Sequence, residues 1–277
     1  MQKQFLMIAA LLLSFFDAKA EIVQRAFITG VSRGIGLALA KNLLERGIEV
    51  VGISRAQKST MQDLSKYPNF SYVSADLTSQ EGFLAVQEFL KNQKLTFDFI
   101  INNAGMMMPP CNLEQMSFHD IENVININLL VPIKLSSLLL PYCNKGAKIL
   151  NVTSRAATSP VAQVGPYCIS KAGLNMFTEV LRKELFNKHI AVAAVIPGEV
   201  DTQIQDILRN TDGFNLSEKF YDNYINGKLI TPAMCAQFLS WLLCETAADE
   251  FNSQLWEIYD VSHHAKWLQE ELPAFPF

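Results

Sequence analysis

A tyrosine and a lysine with catalytic potential stand four residues apart, at Tyr167 and Lys171, in a stretch with helical periodicity. On a helix this spacing puts both side chains on one face, one turn apart. An ammonium group beside a phenol, whose unperturbed pKa is ~10, favours the phenolate and makes proton exchange easier. The alternative is an exposed amphipathic helix with a partly buried tyrosine.

A serine is available to act on the same substrate atom. Ser154 follows a predicted strand and precedes Tyr167 by thirteen residues. Its hydroxyl can bind the oxygen to which Tyr167 gives a proton, and so stabilise the charge that develops there. Together with Lys171, these residues predict proton transfer to a carbonyl oxygen, or from an alcohol.

A glycine-rich turn joins the first predicted strand to the first predicted helix. The apolar run 22–28 leads into Thr29-Gly30-Val31-Ser32-Arg33-Gly34-Ile35-Gly36, and helical periodicity follows. Glycines let the backbone approach a pyrophosphate where side chains would clash, and the N-terminus of the next helix offers unpaired N–H groups. The segment therefore predicts a dinucleotide site, and the alternative is a tight loop without a ligand.

Strands and helices alternate along the rest of the chain. The predicted strands are 22–28, 48–53, 70–74, 97–101, 147–152, 190–196 and 254–259. The predicted helices are 35–46, 79–93, 118–142, 164–187 and 232–245, with a less periodic segment at 198–230. This order predicts an α/β fold, a Rossmann-type doubly wound parallel sheet of about seven strands with helices on both faces. We expect a single domain over residues 21–277, because no linker composition divides the chain.

Ligands of such a sheet bind outside the carboxyl ends of its strands. The residues that follow the successive strands are Ser54-Arg55, Asp76-Leu77, Asn102-Asn103-Ala104-Gly105, Thr153-Ser154 and Pro197-Gly198. Because these ends lie at one edge of the sheet, we expect their loops to meet the glycine turn along one cleft.

The composition favours a small-molecule partner. A hydrophobic fraction of 49% with 18% charged residues excludes a disordered chain, and a net charge of −4 provides no basic surface for nucleic acid. The five cysteines form no Cys-x-x-Cys pair and have no histidine at ligand spacing. We therefore expect buried reduced thiols and no metal site.

The first twenty residues have the layout of a secretory leader. Lys3 precedes the apolar stretch 5–16, and Ala18-Lys19-Ala20 fits an Ala-x-Ala cleavage site. The twelve apolar residues are fewer than the ~20 that span a bilayer. Residues 1–20 therefore predict a signal peptide or hydrophobic leader, with membrane contact only if it stays uncleaved. The odd number of cysteines argues against export.

The motifs and their order resemble the short-chain dehydrogenase/reductase family. They are Thr29-Gly30-x-x-x-Gly34-x-Gly36, Asn102-Asn103-Ala104-Gly105, Asn128, Ser154, Tyr167-x-x-x-Lys171 and Pro197-Gly198. The resemblance covers residues 22–260. It implies hydride transfer between a nicotinamide cofactor and a carbonyl or alcohol.

The resemblance implies a catalytic set of Asn128, Ser154, Tyr167 and Lys171. Tyr167 would be the general acid or base, and Ser154 would polarise the substrate carbonyl. Lys171, together with the cationic nicotinamide, would lower the pKa of Tyr167, and it would hold the nicotinamide ribose. Asn128 would support a water relay from Lys171, with Asn126 two residues away as the alternative polar residue.

The resemblance also implies a cofactor site along the strand ends. Its expected residues are Gly30, Ser32, Arg33, Gly34, Ile35, Gly36, Arg55, Asp76, Leu77, Asn103, Ala104, Gly105, Tyr167, Lys171, Pro197, Gly198, Val200 and Thr202. An NAD site places a carboxylate at the end of the second strand, whereas a 2′-phosphate requires cations. That strand ends in Ile53-Ser54-Arg55, and Arg33 lies in the glycine turn, so we expect NADP(H). The alternative is that both arginines are solvated surface residues.

The less periodic segment 198–230 is similar to that of the sepiapterin reductase and benzil reductase branch of the family. We therefore expect NADPH-dependent reduction of a small ketone, diketone or pterin-like carbonyl. Glu257 lies near the place of a substrate-binding acid in that branch, so the expected substrate contacts are Ser154, Tyr167 and Glu257. Four aromatic residues either line a substrate pocket or pack the segment on the sheet: Phe214, Phe220, Tyr221 and Tyr224.

Two other functions stay open. In the first, the chain is a catalytically silent NADP(H)-binding sensor or scaffold on the same fold. In the second, it is an alcohol dehydrogenase working in the oxidative direction. An intact Ser154, Tyr167 and Lys171 argues against the sensor. The broad apolar faces of helices 118–142 and 164–187 predict a homodimer or homotetramer. Use of NADPH suits the cytoplasm and the leader suits export, so the localisation is left open.

Overall fold

A computed structural model describes residues 23–268 of the chain. The predicted leader, residues 1–20, lies outside the described residues. The described part contains a seven-stranded sheet with helices packed on both of its faces, as the alternation of strands and helices predicts.

Strands and helices alternate in chain order. The strands are β1 (Arg25–Thr29), β2 (Glu49–Ser54), β3 (Phe70–Ser74), β4 (Phe97–Asn102), β5 (Cys143–Val152), β6 (Ala191–Ile196) and β7 (Trp256–Glu257). The helices are α1 (Gly34–Glu45), α2 (Gln62–Ser65), α3 (Gln80–Gln93), α4 (Phe118–Ile125), α5 (Val131–Leu139), α6 (Gly165–Leu185), α7 (Gln203–Arg209), α8 (Ser217–Ile225), α9 (Pro232–Cys244), α10 (Ala248–Phe251) and α11 (His264–Trp267).

The order of the strands creates the crevice in which a ligand can bind. The sheet runs β3-β2-β1-β4-β5-β6-β7, and every pair of neighbouring strands is parallel. The chain starts in the middle at β1, runs outward to β3, and returns to pair β4 with β1. Because the loops after β1 and β4 leave in opposite directions, a crevice opens between them at the carboxyl ends of the strands.

Two apolar cores cover the two faces of the sheet. Ile28 of β1 packs in one core with Leu39 of α1 and Phe238 of α9. The neighbouring Phe27 points to the opposite face and packs in the other core with Leu90 of α3. Since successive strand side chains point to opposite faces, a strand buried on both sides is apolar throughout.

Several elements differ from their predicted bounds, and strand β5 begins at Cys143 rather than at residue 147. Strand β1 begins at Arg25 rather than at residue 22. Strand β7 has only two residues, because a turn closed by the Asp260 N–H and the Glu257 carbonyl (3.1 Å) follows it. The predicted helix 118–142 contains a π-helical turn at Asn126–Leu130. That turn directly precedes Pro132, which has no N–H to continue the regular helical pattern.

The segment after β6 forms a compact flap with its two ends joined. It contains α7 and α8, which agrees with the short helices predicted for it. At its base the Ile230 N–H donates to the Glu199 carbonyl (2.8 Å), and the Asp201 N–H donates to the Ile230 carbonyl (2.9 Å). The flap therefore starts and ends at the carboxyl edge of the sheet.

One helical stretch of the described residues, Phe118–Tyr142, is long and apolar enough to cross a membrane by length and composition alone. A core helix of a soluble protein passes the same test. Val131, Leu135 and Leu139 of this stretch are buried in the second core, against the sheet.

Candidate active site

Helix α6 carries Tyr167 and Lys171 side by side. It begins at Gly165 with Pro166 in its first turn, where the missing N–H of proline leaves no hydrogen bond unmade. Both side chains are buried, and Lys171 Nζ lies 5.7 Å from the centre of the Tyr167 ring. The same Nζ donates to the Val152 carbonyl at 2.9 Å. The end of β5 therefore holds the lysine beside the tyrosine.

Ser154 reaches the Tyr167 phenol from the loop that follows β5. Its hydroxyl accepts a hydrogen bond from the Ala156 N–H at 3.2 Å. Burial raises the pKa of Tyr167 to about 12, and its hydrogen bond with Ser154 offsets only part of that rise. Burial also lowers the pKa of Lys171 to about 8. Burial sets the direction of the Tyr167 shift, and the lowering of this pKa expected from Lys171 together with the cationic nicotinamide stays a prediction.

Asn128 is fully buried in the π-helical turn between α4 and α5. Its Oδ1 accepts from the Met106 N–H at 2.8 Å. Its Nδ2 donates to the Met106 carbonyl at 2.9 Å and to Ser170 Oγ at 3.1 Å, so it ties the segment after β4 to α6. These contacts do not include Lys171, so the water relay stays a prediction. The alternative residue, Asn126, hydrogen-bonds away from this group.

The glycine turn is packed too closely for any larger residue. Gly30 and Gly34 have φ angles of +77° and +55°, which L residues with side chains rarely adopt. A Cβ on Gly36 would lie 2.3 Å from the Gly30 carbonyl oxygen and 2.4 Å from Asn103 Nδ2. The turn therefore presents bare backbone to the crevice.

The end of β4 supports this turn from behind. Asn103 Nδ2 donates to the Thr29 carbonyl at 2.8 Å. Thr29 Oγ1 in return accepts from the N–H groups of Asn103 at 3.0 Å and of Ala104 at 2.9 Å. A Cβ on Gly105 would lie 3.1 Å from Asn128 Oδ1, so this segment also touches the Asn128 group. The predicted motif at residues 102–105 therefore joins the glycine turn to the Asn128 group.

The start of α1 is suited to an anion. Arg33, its N-cap residue, makes no side-chain capping bond, and the first turn contains no acidic residue. The positive end of the helix dipole therefore faces the crevice unopposed. Arg33 and Arg55 are exposed at this edge. Partial burial raises the pKa of Asp76, but the hydrogen bonds from Thr78 and the charge of Arg55 hold it below its usual range. Bare backbone, a free helix start and two cations fit a dinucleotide phosphate.

The segment after β6 closes the crevice from the other side. A Cβ on Gly34 would lie 3.2 Å from Thr202 Cγ2, so Thr202 touches the glycine turn. Five of the expected cofactor residues line the same cleft as Ser154 and Tyr167: Ile35, Pro197, Gly198, Val200 and Thr202. Of the others, Ser32 is half-buried in the turn, and Leu77 is buried after β3.

A cleft of about 420 Å³ opens beside Ser154 and Tyr167. Its apolar lining includes Val161, Val164, Ile204, Leu208, Phe214 and Phe220. The rings of Phe214 and Phe220 stack with their centres 6.0 Å apart. Of the four aromatic residues considered from the sequence, these two line the cleft, whereas Tyr221 and Tyr224 are exposed.

The cleft also has a polar end. Arg155, next to Ser154, pairs with Glu257 of β7, so Glu257 does lie in the cleft. Burial raises the pKa of the nearby Glu199 carboxyl, and the Asn223 amide and the charges of Lys219 and Arg155 offset part of that rise. Sequence reasoning assigned no role to Arg155 or Glu199. The available signal was their position, since Arg155 directly follows Ser154 and Glu199 directly follows Pro197-Gly198.

Gln163 was also missed, and no periodicity could have revealed it. It has φ +69°, a left-handed conformation that is uncommon without glycine. Its carbonyl accepts from the Cys111 N–H at 3.0 Å. Its side chain donates to the Gly213 carbonyl at 3.0 Å and accepts from the Asn215 N–H at 3.0 Å. Gln163 thus ties the flap to the loop that follows β4.

The site has no built metal centre in the part of the chain that the structure describes. No group of three or more His, Cys, Asp or Glu there could hold an ion. The five cysteines, 111, 143, 168, 235 and 244, are free thiols.

Comparisons with known proteins agree with this geometry. A family model for short chain dehydrogenase matches residues 24–213. The chain is 30% identical over 229 residues to benzil reductase ((S)-benzoin forming) from Bacillus cereus, covering 78% of this chain and 92% of that protein. It is 32% identical over 182 residues to NADPH-dependent pterin aldehyde reductase from Arabidopsis thaliana, covering 64% and 75%. A solved short chain dehydrogenase/reductase from Saccharomyces cerevisiae superposes with a TM-score of 0.79 at 26% identity, covering 88% of this chain and 99% of that one.

These matches confirm the family and the benzil reductase branch that the motifs indicated. The parallel sheet with β1 and β4 at its centre agrees with the fold of the solved relative. The chain therefore belongs to the short-chain dehydrogenase family and is an oxidoreductase that uses a nicotinamide cofactor.

Proposed function

We propose that the protein uses NADPH to reduce a small ketone, diketone or pterin-like carbonyl, with Tyr167 as the general acid. The observation that carries the proposal is the pair of hydroxyls, Ser154 and Tyr167, in the wall of a cleft that extends to the glycine turn. The activities of two relatives, a benzil reductase and an NADPH-dependent pterin aldehyde reductase, support the reductive direction and the substrate class.

The residues of the cleft suit the reductive direction. NADPH, when bound, supplies a hydride to the carbonyl carbon. Ser154 and Tyr167 bind the carbonyl oxygen, which gains negative charge in that step. Since burial raises the pKa of Tyr167 to about 12, the phenol carries a proton at neutral pH. The developing alkoxide is the stronger base, so the proton passes from Tyr167 to the substrate oxygen.

Lys171 and Asn128 act around that proton transfer. The Lys171 ammonium, 5.7 Å from the Tyr167 ring, stabilises the phenolate that is left behind. It would also hold the nicotinamide ribose of the bound cofactor. Asn128 fixes the segment at Met106 against α6. A water relay supported by Asn128 returns a proton towards Lys171.

The preference for NADPH rests on charge at the end of β2. Ser54 and Arg55 stand where an NAD site would place a carboxylate. Arg33 and Arg55 are both exposed, so each is available to a 2′-phosphate, and the guanidinium fork matches phosphate geometry. The Asp76 carboxyl, whose pKa the Arg55 charge helps to lower, would lie near the adenine of the bound cofactor.

The Arg155–Glu257 pair forms the polar end of the substrate site. Both residues line the cleft, together with Glu199 and Tyr259. A substrate group that donates and accepts hydrogen bonds, such as a pterin ring, can exchange partners with this pair. Glu257 therefore acts in substrate binding and takes no part in the proton transfer.

The protein also forms a homo-oligomer through α6. Ile169, Met176 and Val180 of this helix are exposed apolar residues, and so is Leu130 between α4 and α5. Burial of such a stripe against a second subunit removes apolar area from water. A dimeric or tetrameric mass in light scattering is expected, and a monomer at micromolar concentration contradicts this part of the proposal.

The purified full-length protein, assayed with benzil and with a pterin aldehyde, tests the proposal. We expect carbonyl-dependent oxidation of NADPH, with a higher kcat/KM than for NADH. Binding of NADPH without turnover of any carbonyl would indicate the sensor or scaffold. Turnover only of alcohols with NADP⁺ would indicate the oxidative direction.

A further inference from the structure

A second cavity, of about 250 Å³, also borders Tyr167. It shares three lining residues with the main cleft, namely Met107, Val164 and Tyr167. The rest of its wall comes from the loop after β4, from α4, and from Gln163 and Pro166 at the start of α6. Tyr167 therefore lines both cavities.

The wall of the second cavity is rich in methionine and proline. Its methionines are Met107, Met108 and Met116, and its prolines are Pro109, Pro110 and Pro166. Three polar residues, Gln115, Asp120 and Gln163, complete part of the wall. Methionine thioethers are polarisable, adapt their shape, and make favourable contacts with aromatic rings. A cavity of about 150 Å³ is large enough to hold benzene. This cavity therefore has room for a substituted aromatic ring.

The residues around both cavities belong to a cluster that is separate from the two cores of the sheet. The cluster contains Met107, Val124, Val164 and Tyr167 with flap residues such as Phe214. The Gln163 contacts described above join the flap to the loop after β4, which carries these methionines.

We propose that the second cavity binds an aromatic arm of the substrate, so that the reacting carbonyl carries a bulky group on each side. The inference rests on the proposed carbonyl reduction. A carbonyl oxygen bound by Tyr167 and Ser154 places its carbon at the junction of the cavities. Its two substituents diverge, one into the main cleft and one towards the methionines. The substrate class is then a diaryl or aryl-alkyl 1,2-diketone with two large arms, and aldehydes fill only one cavity.

The kinetic test compares benzil, which has two phenyl arms, with phenylglyoxal, which has one. Wild-type protein with NADPH is expected to show a kcat/KM for benzil at least about tenfold above that for phenylglyoxal. Met108→Trp fills the cavity and is expected to lower the benzil value about tenfold while phenylglyoxal stays within about twofold. Met116→Trp fills it from the opposite wall with the same expected result. Leu84→Trp, on an exposed site of α3, is the matched control.

Equal losses for both substrates, or a wild-type preference for phenylglyoxal, would overturn the inference while carbonyl reduction still stands. If no carbonyl turns over, the proposed function fails, and a binding measurement decides the cavity by itself. In protein labelled with ¹³C-methyl methionine, benzil is expected to shift the Met107, Met108 and Met116 methyl signals. The buried core residue Met61 is the internal control. Unchanged signals at saturating benzil overturn the assignment of the cavity.

Discussion

The two sides of the crevice are built in opposite ways. On the cofactor side, backbone packs against backbone: a Cβ on Gly36 would lie 2.3 Å from the Gly30 carbonyl, and Asn103 fixes the turn. On the substrate side, side chains surround open space, with a cleft of about 420 Å³ and a second cavity of about 250 Å³. Tyr167 stands at the boundary.

The difference follows from what each side must bind. A dinucleotide offers the same phosphates and riboses in every member of the family, so a close-packed backbone can match them. Substrates differ, so their site depends on side chains that line space, such as Phe214 and Met108. The cofactor side therefore tolerates little change, and the substrate side can change its selectivity without loss of the fold.

The largest effect is expected at Tyr167, which stands at the boundary of the cofactor side and the substrate side. Tyr167→Phe removes the proton donor and leaves the packing of both sides in place. We expect kcat for carbonyl reduction to fall about 10³-fold. NADPH affinity, measured by fluorescence titration, should stay within about twofold of wild type. Tyr221→Phe, at an exposed tyrosine of the flap, is the control. A Tyr167→Phe protein that keeps a tenth or more of its activity would exclude Tyr167 as the general acid.

Gly36→Ala tests whether the cofactor side has any free space. The added methyl overlaps the Gly30 carbonyl and Asn103 Nδ2. We expect the free energy of unfolding in urea to fall by about 2 kcal/mol, and the Kd for NADPH to rise at least about tenfold. Gly165→Ala is the matched control, since a Cβ there meets nothing within 4 Å. Equal behaviour of the two variants would refute the close-packed turn.

Arg55→Asp tests whether reversing one charge on the cofactor side changes the preference for NADPH over NADH while the backbone there stays in place. A carboxylate at this position repels a 2′-phosphate and can accept a hydrogen bond from a 2′-hydroxyl. We expect the ratio of kcat/KM for NADPH to that for NADH to fall at least about tenfold. Lys58→Asp makes the same charge change three residues further on, at an exposed site. An unchanged ratio in Arg55→Asp, or an equal change in both variants, would contradict the assignment.

The last prediction concerns pH and the support of the substrate side. His263 Nε2 bonds to the Glu257 carbonyl at 3.0 Å, and its Nδ1 accepts from Trp267 Nε1 at 2.8 Å. Burial lowers the pKa of His263 to about 4, which the Asp260 charge opposes and the His264 and Lys266 charges reinforce.

Between pH 4 and 6.5 the unfolded chain therefore binds a proton that the folded protein does not. The contribution of neutral His263 to the free energy of unfolding is fully present above pH ~6.5. It falls as the pH is lowered towards ~4, by at most about 3 kcal/mol. His263→Gln keeps a donor and an acceptor but does not titrate. We expect its unfolding free energy to fall less than that of wild type between pH 7 and pH 5. Parallel losses in the two proteins would contradict the buried neutral histidine.

The cofactor side was predictable because its requirements are local. Gly30, Gly34 and Gly36 follow one strand at fixed spacing, and the turn they form depends on backbone conformation alone. The alternation of strands and helices predicts a parallel sheet, whose strands all have their carboxyl ends at one edge. The meeting of Ser154, Tyr167 and the glycine turn could therefore also be predicted. Their catalytic and cofactor roles stay predictions until tested.

The substrate side was less predictable because its contacts join distant residues. Gln163 bonds to Cys111 and Gly213 across the cleft, and nothing near it in the chain marks that position. The core has a similar case. Lys148 lies within apolar β5, and its buried Nζ donates to the carbonyls of Leu243 at 2.7 Å and Thr246 at 2.6 Å. Such partners depend on tertiary packing and leave no periodic pattern.

Transfer of deuterium from cofactor to product is the most direct test of hydride transfer in this cleft. The full-length protein is incubated with benzil and NADPH carrying deuterium at both C4 positions, and the product is analysed by mass spectrometry. We expect benzoin with one deuterium on the carbinol carbon, formed at a rate that Tyr167→Phe reduces about 10³-fold. Benzoin without deuterium, or no product while NADPH remains bound, would contradict hydride transfer in this cleft.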